Sequence, residues 1–320
     1  MTLMTKFLGA AATVALSAGA AMAEPALIFD LGGKFDKSFN EAAFTGATRW
    51  AEETGGEFRE IELQSEAQRE QALRRFADAG ANPIVMTGFA FGNVLSEVAP
   101  DYPDTKFAII DMVVDAPNVR SVVFNEHEGS YLVGMMAAMA SESGTVGFIG
   151  GMDIPLIRKF ACGYAQGVMA TNPDAKVVAN MTGTTPAAWN DPTKGGELAK
   201  SQFDRGADVV YAAAGGTGLG VLQAAKDAGK LGIGVDKNQN HLHPGSVLTS
   251  MTKRVDLAVL EAFESAQNGT WKPGIKVLGL KENGVGYSLD EHNKGVLNKD
   301  IIAKLEQARS DIISGKIKVT

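Results

Sequence analysis

The 320-residue chain is 45% hydrophobic with only 11 prolines, which excludes a disordered or fibrous protein and leaves one large or two medium ordered domains. Its net charge of −7 supplies no electrostatic reason to bind nucleic acid or an anionic membrane surface. A single cysteine, Cys162, excludes an intrachain disulfide; it falls in a helical pattern, where a buried small hydrophobe is the expected role.

The chain opens with Lys6, an apolar stretch from Phe7 to about Leu16, and small residues ending Ala21-Met22-Ala23. These are the three regions of an export signal, residues 1–23, with cleavage before Glu24. The apolar run is shorter than the roughly 20 residues of a spanning helix. No cysteine lies near the cleavage position to accept a lipid. The mature chain is therefore expected to be exported and soluble, with no lipid anchor.

Next comes an apolar strand over 26–30, ending in Asp30, then a glycine loop, then a helix over 39–53. Ser38 and Glu41 have the spacing of a capping box, which predicts the helix start. Asp30, Phe35, Phe39 and Asn40 thus gather where a strand's C-terminal end meets a helix N-terminus, the ligand-binding position of open α/β sheets. A capped β–α unit with nothing bound fits this segment equally well.

Further strands are predicted over 57–62, 83–87, 106–111, 145–150, 176–181, 208–213, 232–236 and 246–251. Helical patterns fall between them, over 66–79, 91–99, 129–141, 156–171, 192–205, 218–228 and 255–268. Most strands are continuous apolar runs, as in parallel strands covered on both faces, so the class is α/β with doubly wound parallel sheet. The series divides into two sheets, the first ending near Val123-Phe124-Asn125. Two lobes that exchange strands are expected, one from 24–127 plus about 252–275, the other from 128–251 plus about 276–320. Extended segments over 274–289 and an amphipathic helix over 299–315 complete the chain.

The stretch Ala212–Gly220 follows a strand and opens a helix, yet it fails as a dinucleotide fingerprint. In one register Val221, and in the other Gln223, stands where the third glycine is required. No phosphate-loop motif and no G-x-S-x-G elbow occurs, and His241 and His243 lack a third ligand of suitable spacing. No cofactor, metal or catalytic group is implied. The glycine turn can present N–H groups to ligand oxygens, or can serve only close helix-on-sheet packing.

Polar and aromatic residues do collect at strand ends. They are Asp30, Phe35, Phe39, Asn40 and Asp111 in the first half, and Met152, Trp189, Gly215, Gly216, Asp236 and Lys253 in the second. Aromatic rings, carboxylates and one amide suit a small planar ligand with a hydroxylated portion. Ring stacking contributes about 1–3 kcal/mol per base, and an amide can read a heterocycle edge with both a donor and an acceptor. Phe44 and Trp50 are expected in the core.

Six stretches carry a resemblance: Asp36–Asn40, Phe107–Asp111, Glu128–Gly134, Gly150–Pro155, Ala213–Gly218 and Val247–Arg254. With them the chain resembles the basic membrane protein, or purine-nucleoside receptor, family of substrate-binding proteins that serve ABC importers. The resemblance implies a type I periplasmic-binding fold holding a purine nucleoside, or a related base, between two lobes. It further implies that Asn40 and Asp111 read the purine edge, and that Asp236 and Lys253 hold the ribose hydroxyls. Gly215 and Gly216 would approach the sugar, and Phe39 or Phe35 would stack the base with Trp189. An inner-membrane ABC permease is the implied partner, and the receptor is expected to be a monomer in a Gram-negative periplasm. Many family members are lipoproteins, and this chain departs from them in lacking the lipid-bearing cysteine. A receptor for a free base or another small metabolite, or a periplasmic nucleoside-cleaving enzyme, are the rival expectations.

Overall fold

A computed structural model describes residues 23–293 and 295–320. The expected export signal therefore lies, except for Ala23, outside the described residues. The first part of the chain runs β1 (Ala26–Phe29), α1 (Phe39–Thr54), β2 (Arg59–Glu62), α2 (Gln68–Asp78), β3 (Ile84–Thr87), α3 (Gly92–Val98), β4 (Phe107–Ile110) and β5 (Val119–Phe124). The second runs α4 (Glu126–Ala140), β6 (Thr145–Met152), α5 (Pro155–Thr171), β7 (Lys176–Gly183), α6 (Pro192–Asp204), β8 (Val209–Ala213), α7 (Gly218–Asp227), β9 (Leu231–Asp236) and β10 (Val247–Lys253). The last runs α8 (Val255–Gln267), β11 (Gly274–Leu278), β12 (Val285–Tyr287) and α9 (Lys299–Ile313).

These strands form two six-stranded sheets, ordered β11-β5-β4-β3-β1-β2 and β12-β10-β9-β8-β6-β7. All neighbours are parallel except β12, which returns antiparallel to β10. Strands β1, β3 and β4 are buried at every residue, which is why their sequences are unbroken apolar runs. At one edge, β2 reads Arg59-Glu60-Ile61-Glu62, and its charges discourage pairing with another chain. Strand β5, whose end the sequence marked near 123–125, has a polar centre that hid its start. There Arg120 donates to the Lys272 carbonyl and to Ser265 Oγ, while Val114 N donates to Ser121 Oγ. The polar side chains are buried because each has a local partner.

The chain crosses between the sheets three times, after β5, after β10 and between β11 and β12. Helix α8 packs on α1, and α9 packs on α4. The crossings are tied together: Asn125 N donates to the Leu278 carbonyl (3.1 Å), Leu280 N to Glu128 Oε2 (2.7 Å) and Arg254 N to the Gly284 carbonyl (2.8 Å). No helix among the described residues is long and apolar enough to cross a membrane.

Two local expectations are corrected. Helix α1 does begin at Phe39, but Ser38 makes no side-chain cap. Asp36 does so instead, accepting from the backbone N–H groups of Ser38, Asn40 and Glu41 at 2.8–3.1 Å. The Ser38 hydroxyl is engaged elsewhere, on Asp236. Cys162 is exposed rather than buried. The inward face of α5 is Ile157, Phe160, Gly163, Tyr164, Gly167 and Val168, and the helical period turns Cys162 away from it.

Candidate ligand-binding cleft

Parallel strands place all their C-terminal ends on one side, and here the two sheets turn those ends toward a common cleft. The empty space there, open solvent included, is about 660 Å³. Its wall holds Asp30, Phe39, Asn40 and Asp111 from the first sheet's side, and Trp189, Gly215, Asp236 and Lys253 from the second.

Phe35, Met152 and Gly216, all expected in the site, are not in that wall. Phe35 is 62% exposed and lies edge-on to Phe44, with Lys34 Nζ 5.1 Å from its ring. Met152 ends β6 in register with Gly183. Gly216 packs behind the wall: a Cβ there would lie 3.3 Å from the Trp189 carbonyl and 3.7 Å from Asp36 Cβ.

Lys253 is the electrostatic centre. Its side chain is 2% exposed, and its ammonium donates to Asp111 Oδ2 at 2.7 Å and lies 3.2 Å from Glu126 Oε1. The rings of Phe39, Phe124 and Phe160 surround it at 5.0–5.5 Å from their centroids. Burial alone depresses the Lys253 pKa, but Asp111, Glu126 and Asp236 outweigh it and hold the ammonium above the usual lysine value. Asp111 Oδ1 and Glu126 Oε1 accept no hydrogen bond, Glu126 being close enough to Lys253 for charge attraction but misaligned for a bond.

Asp111 and Asp236 each stand at a strand end in left-handed backbone, φ 73° and 64°, a conformation aspartate tolerates better than most residues. Burial raises the pKa of Asp111 and of Asp236 to about 6, although Lys253 draws both down. Asp36 is likewise raised to about 6 by burial, against the pull of its three backbone donors. Asp30 is raised by burial too, its Oδ1 held by Arg69 Nη2 at 2.8 Å and Nε at 3.2 Å. Gly88 allows this seat, since its φ is 103° and a Cβ would lie 2.8 Å from Asp30 Oδ2.

Asn40 does something other than the resemblance implies. Its Nδ2 donates to the carbonyls of Asp30 (3.0 Å) and Gly33 (3.2 Å), and its Oδ1 accepts from Thr87 Oγ1 (2.9 Å). Both amide hydrogens are committed to the Asp30 loop, so Asn40 shapes the cleft instead of offering donors to it. Trp189 ends a short 3-10 turn pinned by Thr182 and Thr217, whose hydroxyls both donate to the Ala188 carbonyl. Its indole covers Gly151, where a Cβ would fall 2.0 Å from the ring.

Sequence reasoning missed Asp36, Phe89 and Phe160 in the wall, and Glu126 beneath Lys253. The signal for Glu126 was its place directly after a strand end; α4 begins there rather than at 129. His241 and His243 belong to no grouping of three metal-ligating side chains among the described residues. Among the described residues the one metal-like grouping is Asp290, Glu291 and His292, and Asp290 Oδ2 already accepts from Asn238 and Asn240.

Two parallel α/β lobes that share three crossings and enclose a small-molecule cleft define a two-lobed binding protein. The chain belongs to the Bmp family, described as ABC transporter substrate-binding protein PnrA-like, which matches residues 24–320. It is 38% identical to an uncharacterized lipoprotein of Pyrococcus abyssi, over 82% of this chain and 68% of that one. It is 32% identical to the ABC transporter nucleoside-binding protein BmpA of Lactococcus lactis, over 92% of this chain and 88% of that one. Among solved structures it is similar to an ABC transporter solute-binding protein of Aeropyrum pernix, with TM-score 0.84, 33% identity and 92% of each chain covered. The two-lobed α/β fold expected from the sequence is thus shown, as is the family.

Proposed function

We propose that this protein captures a purine nucleoside between its lobes and delivers it to an ABC permease, without chemical conversion. The observation that carries the reading is the buried set of Lys253, Asp111 and Asp236 at the junction of the sheets, facing walls of aromatic rings. Asp236 and Lys253 hold the ribose hydroxyls, Asp111 accepts from the purine edge through its free Oδ1, and Phe39 and Trp189 flank the base from opposite lobes. The wall is largely apolar, its carboxylates outnumber its cationic groups, and Lys253 is already paired, so the site favours neutral, donor-bearing ligands and disfavours phosphates. The nucleoside-binding name of the Lactococcus lactis relative supports the ligand class. The mature chain starts at Glu24 and moves freely in a periplasm, unlike its lipoprotein relatives.

A thermal-shift screen of nucleosides, free bases, sugars and nucleotides tests this, because a ligand raises stability by RT ln(1 + [L]/Kd). Nucleosides should give the largest shifts and nucleotides none. A larger shift with a free base or a sugar would replace the reading, and release of hypoxanthine from inosine would make the protein an enzyme.

A further inference from the structure

Lys237 lies one residue beyond Asp236 and is not part of the cleft wall. Its ammonium reaches across to α1, donating to Glu41 Oε1 at 2.9 Å and Thr45 Oγ1 at 3.3 Å. The other Glu41 oxygen is 3.2 Å from Lys37 Nζ, so one carboxylate of the first lobe is shared by a lysine from each lobe. The two lysines together lower the Glu41 pKa against the effect of its partial burial. Gln239, 2% exposed, makes a second bridge. Its Oε1 accepts from Val235 N of its own lobe at 2.9 Å, and its Nε2 donates to the Lys37 carbonyl of the other at 3.0 Å.

We propose that Lys237 and Gln239 form a latch between the lobes, and that Lys237 is a positioning residue that sets the fraction of closed molecules without touching ligand. The left-handed backbone at Asp236 separates the two duties: the Asp236 carboxyl lines the cleft, while the next side chain runs along α1. Opening the lobes breaks these bonds whatever the ligand is. Apparent affinity is the intrinsic affinity scaled by the population of the competent state, so the latch tightens binding of every ligand by one common factor. The Lys237 and Glu41 side chains are 28% and 15% exposed, which shields the pair from salt more than two fully exposed charges.

The choice of ligands in the test rests on the nucleoside reading; the shape measurement does not. Lys237→Ala, Glu41→Gln and the double variant are compared with the parent chain by small-angle scattering without ligand, and by calorimetry with inosine and guanosine. Each single variant should enlarge the unliganded radius of gyration and weaken both nucleosides equally, by roughly 3–10-fold. The double variant should be little worse than either single one. Saturating nucleoside should restore the parent's dimensions. An unchanged unliganded shape would overturn the latch, and so would unequal losses for the two nucleosides. If the parent binds no nucleoside, the ligand reading fails while scattering alone still decides the latch.

Discussion

Lys253 at the end of a strand in one sheet donates to Asp111 at the end of a strand in the other, 2.7 Å apart and both nearly sealed from water. The bond crosses the cleft floor, so a charge pair set among the rings of Phe39, Phe124 and Phe160 joins the two sheets. Removing one partner of such a pair leaves the other charge uncompensated. Lys253→Met should cost about 3–5 kcal/mol in denaturant unfolding at pH 7.5. The loss should shrink at pH 5, where Asp111 and Asp236 are protonated. A loss independent of pH would assign it to packing.

Three buried carboxyls favour the folded, unliganded protein at acid pH, and partly buried His127 and His243, whose pKa burial lowers, oppose them. Asp36, Asp111 and Asp236 titrate near 6 in the folded chain against 3.8 when free, because burial favours their neutral forms. Folded chain binds protons that unfolded chain releases, so their stabilisation is complete below about pH 4 and is lost as pH rises through 6. Glu41, Asp153 and Asp290 are shifted the opposite way, and their contributions are lost only on further acidification. The three carboxyls, each raised from 3.8 to about 6, outweigh the two histidines, so the melting temperature should be higher at pH 5 than at pH 7.5, and Asp236→Asn should narrow that difference.

Asp236→Ala should weaken nucleoside binding by about 1.5–3 kcal/mol, the range for hydrogen bonds involving a charged group. A free purine base should lose far less. Calorimetry that finds equal losses would take Asp236 away from the ribose.

Asn40→Ala should lower stability by about 1–3 kcal/mol, since it strands the Asp30 and Gly33 carbonyls that its amide satisfies. The order of preference among inosine, guanosine and adenosine should stay as it is. A changed order would return Asn40 to base reading.

Gly151→Ala puts a methyl group where the Trp189 indole lies. The ring has to move into the cleft, and nucleoside affinity should fall by about 1–3 kcal/mol, the scale of one overpacked contact. Trp189 is the one tryptophan in the cleft wall, so ligand quenching of its fluorescence should diminish in the variant.

Much of this architecture was legible because parallel strands write themselves as apolar runs, as Ile84–Thr87 and Phe107–Ile110 do. Asp30, Asp111, Asp236 and Lys253 were legible for a related reason, since strand ends in this topology face one cleft. The rest depended on tertiary partners. Ser38 has the spacing of a cap, but an aspartate from the other lobe takes its hydroxyl. Phe35 has the chemistry of a stacking residue, but its loop carries it to Phe44. Asn40 is adjacent to the cleft, and no local pattern reveals that three neighbours already hold its amide.

The three crossings also govern when the molecule can become itself. Gly274 of β11 pairs with Arg120 of β5, and Val285 of β12 pairs with Lys253 of β10, so both sheets are completed from the chain's last stretch. A polypeptide emerging from its N-terminal end holds the first five strands without their outer neighbour, and without the α8 helix that covers α1. Neither half can finish early and wait for the other. Such long-range pairing slows folding, so both sheets wait for nearly the whole chain before they are complete.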